Sequence, residues 1–504
     1  MTKSNPIFNE SLPLFIKALL EPECYPHPAK HIRLIETHIS WLLIAGGFVY
    51  KIKKPITLPF LDYGTLEKRH ACCAAELRLN QRYAPDIYLD VVAIVGTPEN
   101  PRFYGDSPPI EFAVKMRRFD EIGRLDHVCR RNELTPKHIS ELAEVIVTFH
   151  RNAAKATINS HYGSPDKVIE PALENFSELY SLTSEHNSLI RLNALQTWTR
   201  SEFNRLTPQF LSRKTTGQIR ECHGDLHLGN IVLIDGHVRL FDCIEFNEDL
   251  RWIDVASDIA FTYIDLLDHH QPGLAGWLLN EWLSRSGDFD AMPVIRFYAA
   301  YRALVRAKVA AIRAQQNQRD TSEINGYIAL AEQIVLPPKP KLIITHGLAG
   351  CGKTTAATTL LLNDNFGCTI RLRSDVERKR LFGFTATEKS GSQLGGGIYV
   401  QEAHQLTYRR LHVLAERLLI AGWSVIIDAA FLKHAERVDF RTLANKLGAK
   451  FHILAPNASP AELRERILNR LKKGHDASEA TIEVLEHQMA TFEPLDKDEL
   501  SFLL

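Results

Sequence analysis

The sequence predicts two domains of different class, an α+β domain over residues 1–336 and an α/β domain with a parallel sheet over residues 341–504. Three observations carry this. The stretch from His223 to Asp242, H-G-D-L-H-L-G-N-I-V-L-I-D-G-H-V-R-L-F-D, is a polar loop feeding a tight hairpin. The stretch from Gly347 to Thr354, G-L-A-G-C-G-K-T, is a glycine-rich loop placed between an apolar strand and a helix. Between them Pro337-Pro338-Lys339-Pro340 forms a stiff, extended break, which predicts two separate halves.

Residues 1 to about 30 carry several prolines and say little. His38 to Ile44 is apolar and β-prone, Gly46-Gly47 is a hairpin signal, and Phe48 to Lys53 returns as an alternating strand. Lys51 and Lys53 therefore share one face of that strand. Leu66 to Arg82 reads as a helix, ended by Pro85. Tyr88 to Val95 and Ile110 to Met116 are the next strands. Thr135-Pro136 caps a helix that is apolar at Leu142, Val145, Ile146 and Phe149. His150 at its end reads as structural. Residues 170–215 are helical.

In the hairpin, Ile231 to Ile234 and His237 to Phe241 are strands around Asp235-Gly236, a dipeptide that favours positive φ. Counting outward from the turn, Asn230 faces Phe241, so Asn230 and Asp242 lie side by side at the open end. Asp225 precedes Asn230 by five residues. Two carboxylates and an amide oxygen around a small volume suit Mg-dependent phosphoryl transfer. Asn230 and Asp242 supply oxygen ligands to a hard cation, and Asp225 accepts the proton of an attacking hydroxyl. Beyond the hairpin, Asp254 and Asp258 lie on a helix with Trp252 and Phe261 nearby. Residues 293–335 are again helical, and Arg302, Arg306, Lys308 and Arg313 read as a solvated face.

The P-loop follows strand Lys341 to His346. Its nucleotide set is Gly347, Leu348, Ala349, Gly350, Cys351, Gly352, Lys353, Thr354 and Thr355. Backbone N–H groups face phosphate oxygens, Lys353 reaches the β- and γ-phosphates, and Thr354 offers its hydroxyl to Mg2+. Strand Thr369 to Arg373 ends in Ser374-Asp375, and strand Ser424 to Ile427 ends in Asp428. Both carboxylates project at the ligand-binding edge of a parallel sheet. Asp428, after its hydrophobic run, is the candidate for holding the magnesium shell. Asp375 is nearer the acceptor, with a helix N-cap as its alternative role. Lys389 to Gly397 is a glycine-rich loop suited to closing over substrate, and Tyr399 to Ala421 is a long helix. After strand Phe451 to Ala455, Ser459-Pro460-Ala461-Glu462 is a capping box for a helix bearing Arg464, Arg466 and Arg470.

The D-x-x-x-x-N spacing, hairpin and trailing Asp resemble the catalytic core of the protein-kinase superfamily. The H-G-D-x-H-x-x-N form is similar to its aminoglycoside phosphotransferase and choline kinase branch. Asp242 is followed by Cys243-Ile244, not Phe-Gly, so a switchable Phe is not implied. The resemblance implies a protein-kinase-like fold with an N-lobe over about 1–116 and a C-lobe over about 117–336. It implies a strand lysine for the nucleotide phosphates, Lys51 with Lys53 in reserve, and Glu76 as its helix partner. It places the adenine near Met116, and an Asp at the position of Asp258 braces the catalytic loop. Residues 341–504 resemble the small P-loop kinases, such as gluconate kinase, the zeta-toxin family and polynucleotide 5′-kinase. In that group the Asp at the position of Asp375 is the acceptor-hydroxyl base, and lid arginines, here Arg466 and Arg470, neutralise the transferred phosphoryl.

Sixty Lys and Arg balance sixty Asp and Glu, so charge advertises neither a nucleic acid nor a membrane partner. The eight Cys form no C-x-x-C pair, no leader pattern opens the chain, and no apolar stretch spans a bilayer. The expectation is a cytoplasmic enzyme with ATP and Mg2+ at two independent sites. Its acceptors are small-molecule hydroxyls, and no protein partner is implied. The alternatives are that the P-loop half is a polynucleotide 5′-kinase or a plain ATPase, or that one half is a nucleotide-binding regulator.

Overall fold

After a short helix, Leu14–Ala18, the first unit of the computed structural model has strands β1 (Arg33–Glu36), β2 (Ser40–Ala45) and β3 (Phe48–Lys53). The structure describes residues 12–58, 61–103, 105–183, 185–317, 321–386, 388, 400–473 and 480–504. The expected Lys389 to Gly397 loop lies outside them. Helix α1 (Leu66–Asn80) follows, capped by the Thr65 side chain, which accepts from Lys68 N. Then come β4 (Tyr88–Thr97), β5 (Asn100–Phe103) and β6 (Pro109–Arg117). The sheet is antiparallel, in the order β1-β2-β3-β6-β4-β5. Alternation along β3 sends Tyr50 and Ile52 into a core with Leu43, Val92, Ile94 and Phe103, and leaves Lys51 and Lys53 on the other face.

The hairpin β7 (Ile231–Ile234) and β8 (His237–Leu240) pairs Ile234 with His237 and Ile231 with Leu240. Asp235 and Gly236 have φ of 52° and 77°, as the two-residue turn demands. Val232 joins Tyr88, Val114 and Met116 in a second core, with Ile234 and Phe241 against it. This packing draws the hairpin to the sheet. One compact unit joins the chain up to Asn132 with Glu221–Ile253, so the hairpin belongs with the N-lobe sheet and not with the C-lobe helices.

The second unit is Glu133–Arg220 with Asp254–Leu504. Helix α2 (Pro136–Asn152) starts at a capping box of Thr135 and His138. The helices Pro165–Leu182 and His186–Thr215 fill the span read as helical. Asp254 caps α3 (Val255–Asp268), accepting from Ala256 N, and buried Arg213 grips it at 2.7 Å while reaching Asp288 at 3.0 Å. Then come α4 (Pro272–Ser286) and α5 (Met292–Asn317). The basic run on α5 is not a solvated face. Arg302 is buried, with its guanidinium 4.9 Å over the Phe261 ring, and Arg306 donates to Tyr327 Oη at 3.1 Å. Only Lys308 and Arg313 make outward ion pairs, to Glu178 and Glu323. The arginines recur at helical spacing on the face that packs inward, where stems and stacked guanidinium groups serve as core.

The α/β layer of this unit has β9 (Lys341–Thr345), β10 (Thr369–Arg373), β11 (Ser424–Asp428) and β12 (Lys450–Leu454), parallel in the order β10-β11-β9-β12. Its helices include α6 (Lys353–Leu362), α7 (Ser374–Leu381), α8 (Gln401–Ile420), α9 (Pro460–Lys473) and α10 (Ile482–Thr491). By contacts alone the compact units do not follow the proline break at 336–341. The breaks fall after Asn132, Arg220 and Ile253, because α3, α4 and α5 pack on this α/β layer. Trp423 Nε1 donates to Met292 O at 3.0 Å, and Arg296, over the Trp423 ring, donates to Gly422 O at 2.8 Å. Among the described residues no helix is long and apolar enough to cross a membrane.

Candidate active sites

β3, α1 and the end of the hairpin meet around one carboxylate. Lys51 Nζ donates to Glu76 Oε1 at 2.8 Å and to Asp242 Oδ1 at 2.6 Å. Lys53 Nζ takes the other Glu76 oxygen at 2.7 Å and also contacts Glu245 and the Tyr63 hydroxyl. Tyr63 donates to the same Glu245 oxygen. Glu76 and Lys53 have no exposed side-chain surface, whereas Asp242 is 45% exposed. Burial alone would push the Glu76 carboxyl up, but the two ammonium groups outweigh it and hold it well below the usual range. Both lysines rise for the reciprocal reason, their desolvation overcome by Asp242, Glu76 and Glu245. Lys51 and Lys53 thus have separate places. Lys51 reaches the metal-ligand candidate, and Lys53 is enclosed behind Glu76.

Asp242 sits at φ 64°, a conformation an Asp tolerates better than most residues. Its N–H donates to Tyr88 Oη at 2.9 Å, and the next N–H donates to Asn80 Oδ1 at 3.0 Å. Asn80 lies one helical turn after Glu76, so one face of α1 serves both ends of this cluster. Asn230 is beside Asp242 through Phe241 N, which donates to Asn230 O at 3.0 Å. Asn230 Nδ2 donates to Asp225 O at 2.9 Å and Oδ2 at 3.1 Å. The three expected residues are thus neighbours, and their side-chain oxygens are of the kind a hard cation takes. His223 Nε2 lies 2.9 Å from Phe241 O and ties the loop to the hairpin. Met116 occupies the penultimate position of β6, its side chain in the core between sheet and hairpin. In the second unit, His150 Nε2 is 3.0 Å from Oδ2 of fully buried Asp258, the structural role expected for the histidine.

The P-loop connects β9 to α6, with Gly347, Gly350 and Gly352 at φ of 138°, 84° and 98°. A Cβ on Gly350 would stand 2.9 Å from Leu463 O, so α9 can approach only glycine. Lys353 Nζ donates to Gly347 O and Leu348 O, both at 2.8 Å, and Ala349 N donates to Gln488 Oε1 at 2.7 Å. Cys351 is buried, while Thr354 and Thr355 are exposed in the first turn of α6. A cleft of about 1540 Å3 opens from this loop. Asp375, Asp428, Arg466 and Arg470 all line it, so the second expected set is also brought together.

Asp428 ends β11, opposite Arg373 of β10. Its Oδ2 is buried with no hydrogen-bond partner, and Arg373 Nε lies 3.9 Å from it. Such an oxygen, in the same cleft as the exposed Thr354 hydroxyl, suits Mg2+ and its water shell. Asp375 is in the first turn of α7 and not at its N-cap, which is Arg373. Arg378, one turn on, is 3.4 Å from Asp375 Oδ1. Arg466 Nη1 donates to Gly350 O at 3.4 Å and Arg470 Nη2 to Ala480 O at 3.0 Å, whereas Arg464 is exposed outside the cleft. Sequence reasoning passed over Tyr63 and Glu245, which carry no motif. It also passed over Arg378, signalled only by its three-residue spacing from Asp375, and Gln488, which carries no signal at all.

With this geometry in view, residues 71–298 match the family model described as phosphotransferase enzyme family, and residues 342–495 match one described as an AAA domain. The chain is a fusion of an aminoglycoside-phosphotransferase-type kinase domain with a P-loop kinase-like domain. Uncharacterised proteins of Mycobacterium tuberculosis and Mycobacterium bovis are similar to it over 459 residues, at 28% identity and 90% of each chain. A choline/ethanolamine kinase family protein from Mesorhizobium loti aligns with 64% of this chain and 94% of its own at 11% identity, TM-score 0.40. An amicoumacin kinase aligns with 65% and 93% at 11% identity, TM-score 0.41. The APS kinase of Mycobacterium tuberculosis aligns with 32% and 86% at 20% identity, TM-score 0.24.

Proposed function

We propose that this kinase transfers the γ-phosphoryl group of ATP at two Mg2+ sites, one in each half, each time to a hydroxyl of a small molecule. The observation that carries the reading is the chain of ion pairs from Glu76 through Lys51 to Asp242, beside Asn230 and Asp225. Lys51 is held by Glu76 at the place where phosphate oxygens would meet a metal bound by Asp242 and Asn230. When bound, Mg2+ neutralises charge on the β- and γ-phosphates. Asp225 takes the proton of the acceptor hydroxyl as its oxygen bonds to the γ-phosphorus and the bond to ADP breaks. In the second half Lys353 and the loop N–H groups hold the phosphates, Asp428 and Thr354 the cation, and Asp375 the acceptor proton. Arg466 and Arg470 face the charge that develops on the transferred group. Free thiols, six of the eight buried, suit a reducing compartment such as the cytoplasm.

The test is acceptor-dependent ADP release from the full chain across a library of hydroxylated metabolites, with Asp225→Asn and Lys353→Ala each silencing one site. Oligonucleotide 5′ ends and a no-acceptor control separate a polynucleotide kinase and a plain ATPase from this reading. Calorimetry with Mg-AMP-PNP should count two sites, one lost in Lys353→Ala. A single site that vanishes in that variant overturns the proposal for the first half.

A further inference from the structure

β10 is an edge strand of the parallel sheet, and α7, carrying Asp375 and Arg378, follows it without a break. An edge strand presents a row of N–H and C=O groups that need partners. Asn280, a buried residue of α4, supplies two. Its Nδ2 donates to Thr369 O at 2.9 Å, and its Oδ1 accepts from Arg371 N at 2.6 Å. Residues two apart on a strand turn the same backbone edge outward, so one carboxamide does what a neighbouring strand would do. At the far end of α7, Arg380 Nη2 donates to Ser284 O at 2.8 Å and Leu283 O at 3.4 Å. Both ends of the segment that carries Asp375 are therefore tied to α4.

The approach is close enough to leave a mark in the sequence. A Cβ on Gly273, in the first turn of α4, would stand 1.9 Å from Leu362 O at the end of α6. No side chain fits there without moving the helix. α4 lies within the region that matches the phosphotransferase family, whereas β10 and α7 lie within the region that matches the AAA domain. The seam therefore joins elements of two families.

We propose that Asn280 and Arg380 are positioning residues of the P-loop site. Through them, helix α4 of the phosphotransferase-type domain stands in for a further strand and fixes the acceptor side of the second kinase. This rests on reading the P-loop cleft as a phosphotransfer site. The nucleotide loop is at the opposite end of α6 from Leu362, about 15 Å away at 1.5 Å per residue. Disturbing the seam at Asn280 should thus loosen the acceptor side and spare nucleotide binding.

The experiment uses the full chain and the variants Asn280→Leu and Arg380→Met, the latter at a side chain one quarter exposed and tolerant of change. Hydrogen exchange of peptides covering residues 369–381 should accelerate about tenfold or more, as expected for a buried pair of hydrogen bonds lost. Peptides of the P-loop and the first turn of α6 should exchange as in the parent. The Kd for Mg-AMP-PNP at the Lys353-dependent site should stay within about twofold, while Lys353-dependent ADP formation falls about tenfold or more. Unchanged exchange over residues 369–381 in both variants overturns the inference. So does an equal loosening of the P-loop with loss of nucleotide affinity, which marks a general structural role. If the parent chain forms no ADP through Lys353, the phosphotransfer reading fails, and the exchange data still decide whether α4 fixes this segment.

Discussion

Replacing Lys53 by Met should destabilise the first unit far more than replacing Lys51, although both lysines bind Glu76. Lys53 and Glu76 have no exposed side-chain surface, and the Glu245 side chain is 4% exposed. Without Lys53, the buried Glu245 carboxylate keeps the Tyr63 hydroxyl but loses this cation, and one Glu76 oxygen loses its Lys53 partner, which costs about 3–5 kcal/mol. Without Lys51, Glu76 keeps Lys53, and Asp242 at 45% exposure turns to water. That loss is about 1–2 kcal/mol once solvent screening is allowed for. The order reverses for nucleotide, where Lys51→Met should abolish Mg-AMP-PNP binding at the first site. Two compact units make a single unfolding free energy ill-defined, so the assay is native-state hydrogen exchange of α1 peptides. Adding Glu245→Gln to Lys53→Met removes the stranded charge and should recover a large part of the protection. The reasoning fails if Lys51→Met loses as much α1 protection as Lys53→Met, or if the double variant is no better than the single one.

Asp225→Asn should cut turnover at the first site by about 10²–10⁴ while nucleotide still binds; near-parental turnover would remove Asp225 from the base role. Asp242→Ala should instead shift the Mg2+ titration of nucleotide binding, and an unchanged titration would count against its metal role. Cys351, buried within the P-loop, should be the thiol whose alkylation falls most when Mg-ATP is added, read by mass spectrometry; equal labelling with and without nucleotide would refute this. The depressed Glu76 pKa, burial overcome by the Lys51 and Lys53 charges, fixes a sign. Its ordinary value is 4.5 and its native value is about 2, so its contribution is complete above pH 4.5 and drains as pH falls toward the native value. Exchange protection of α1 should hold down to about pH 4.5 and fall below it, and loss of protection already between about pH 6 and 5 would contradict the assignment.

Local patterns carried the hairpin, β3 and the P-loop into view because their signals lie within about twenty residues, as turn dipeptides, period-two alternation and glycines at positive φ. The strand Thr369–Arg373 fell on the expected residues for the same reason. Residues whose meaning comes from distant partners were not legible. Lys53 looked like an alternate for Lys51 because Glu245 is far along the chain and neither it nor Tyr63, which together enclose it, belongs to a motif. The α5 arginines looked solvated because composition does not reveal which face of a helix is covered. The proline break gave no sign of the fit of Gly273 and Asn280 against the α/β layer, because that fit is tertiary.

The self-contacts of the P-loop change what recognition has to accomplish. Lys353 rests on two carbonyls of its own loop, and Ala349 N–H is engaged by Gln488. A nucleotide therefore arrives as a competitor. It must draw an ammonium away from two acceptors and offer an oxygen in place of the glutamine carbonyl. Those demands scale with anionic charge, so affinity should climb steeply along the series nucleoside, monophosphate, diphosphate, triphosphate. They also place a conformational step on the association path, so the rate of capture should saturate with nucleotide concentration and not follow diffusion.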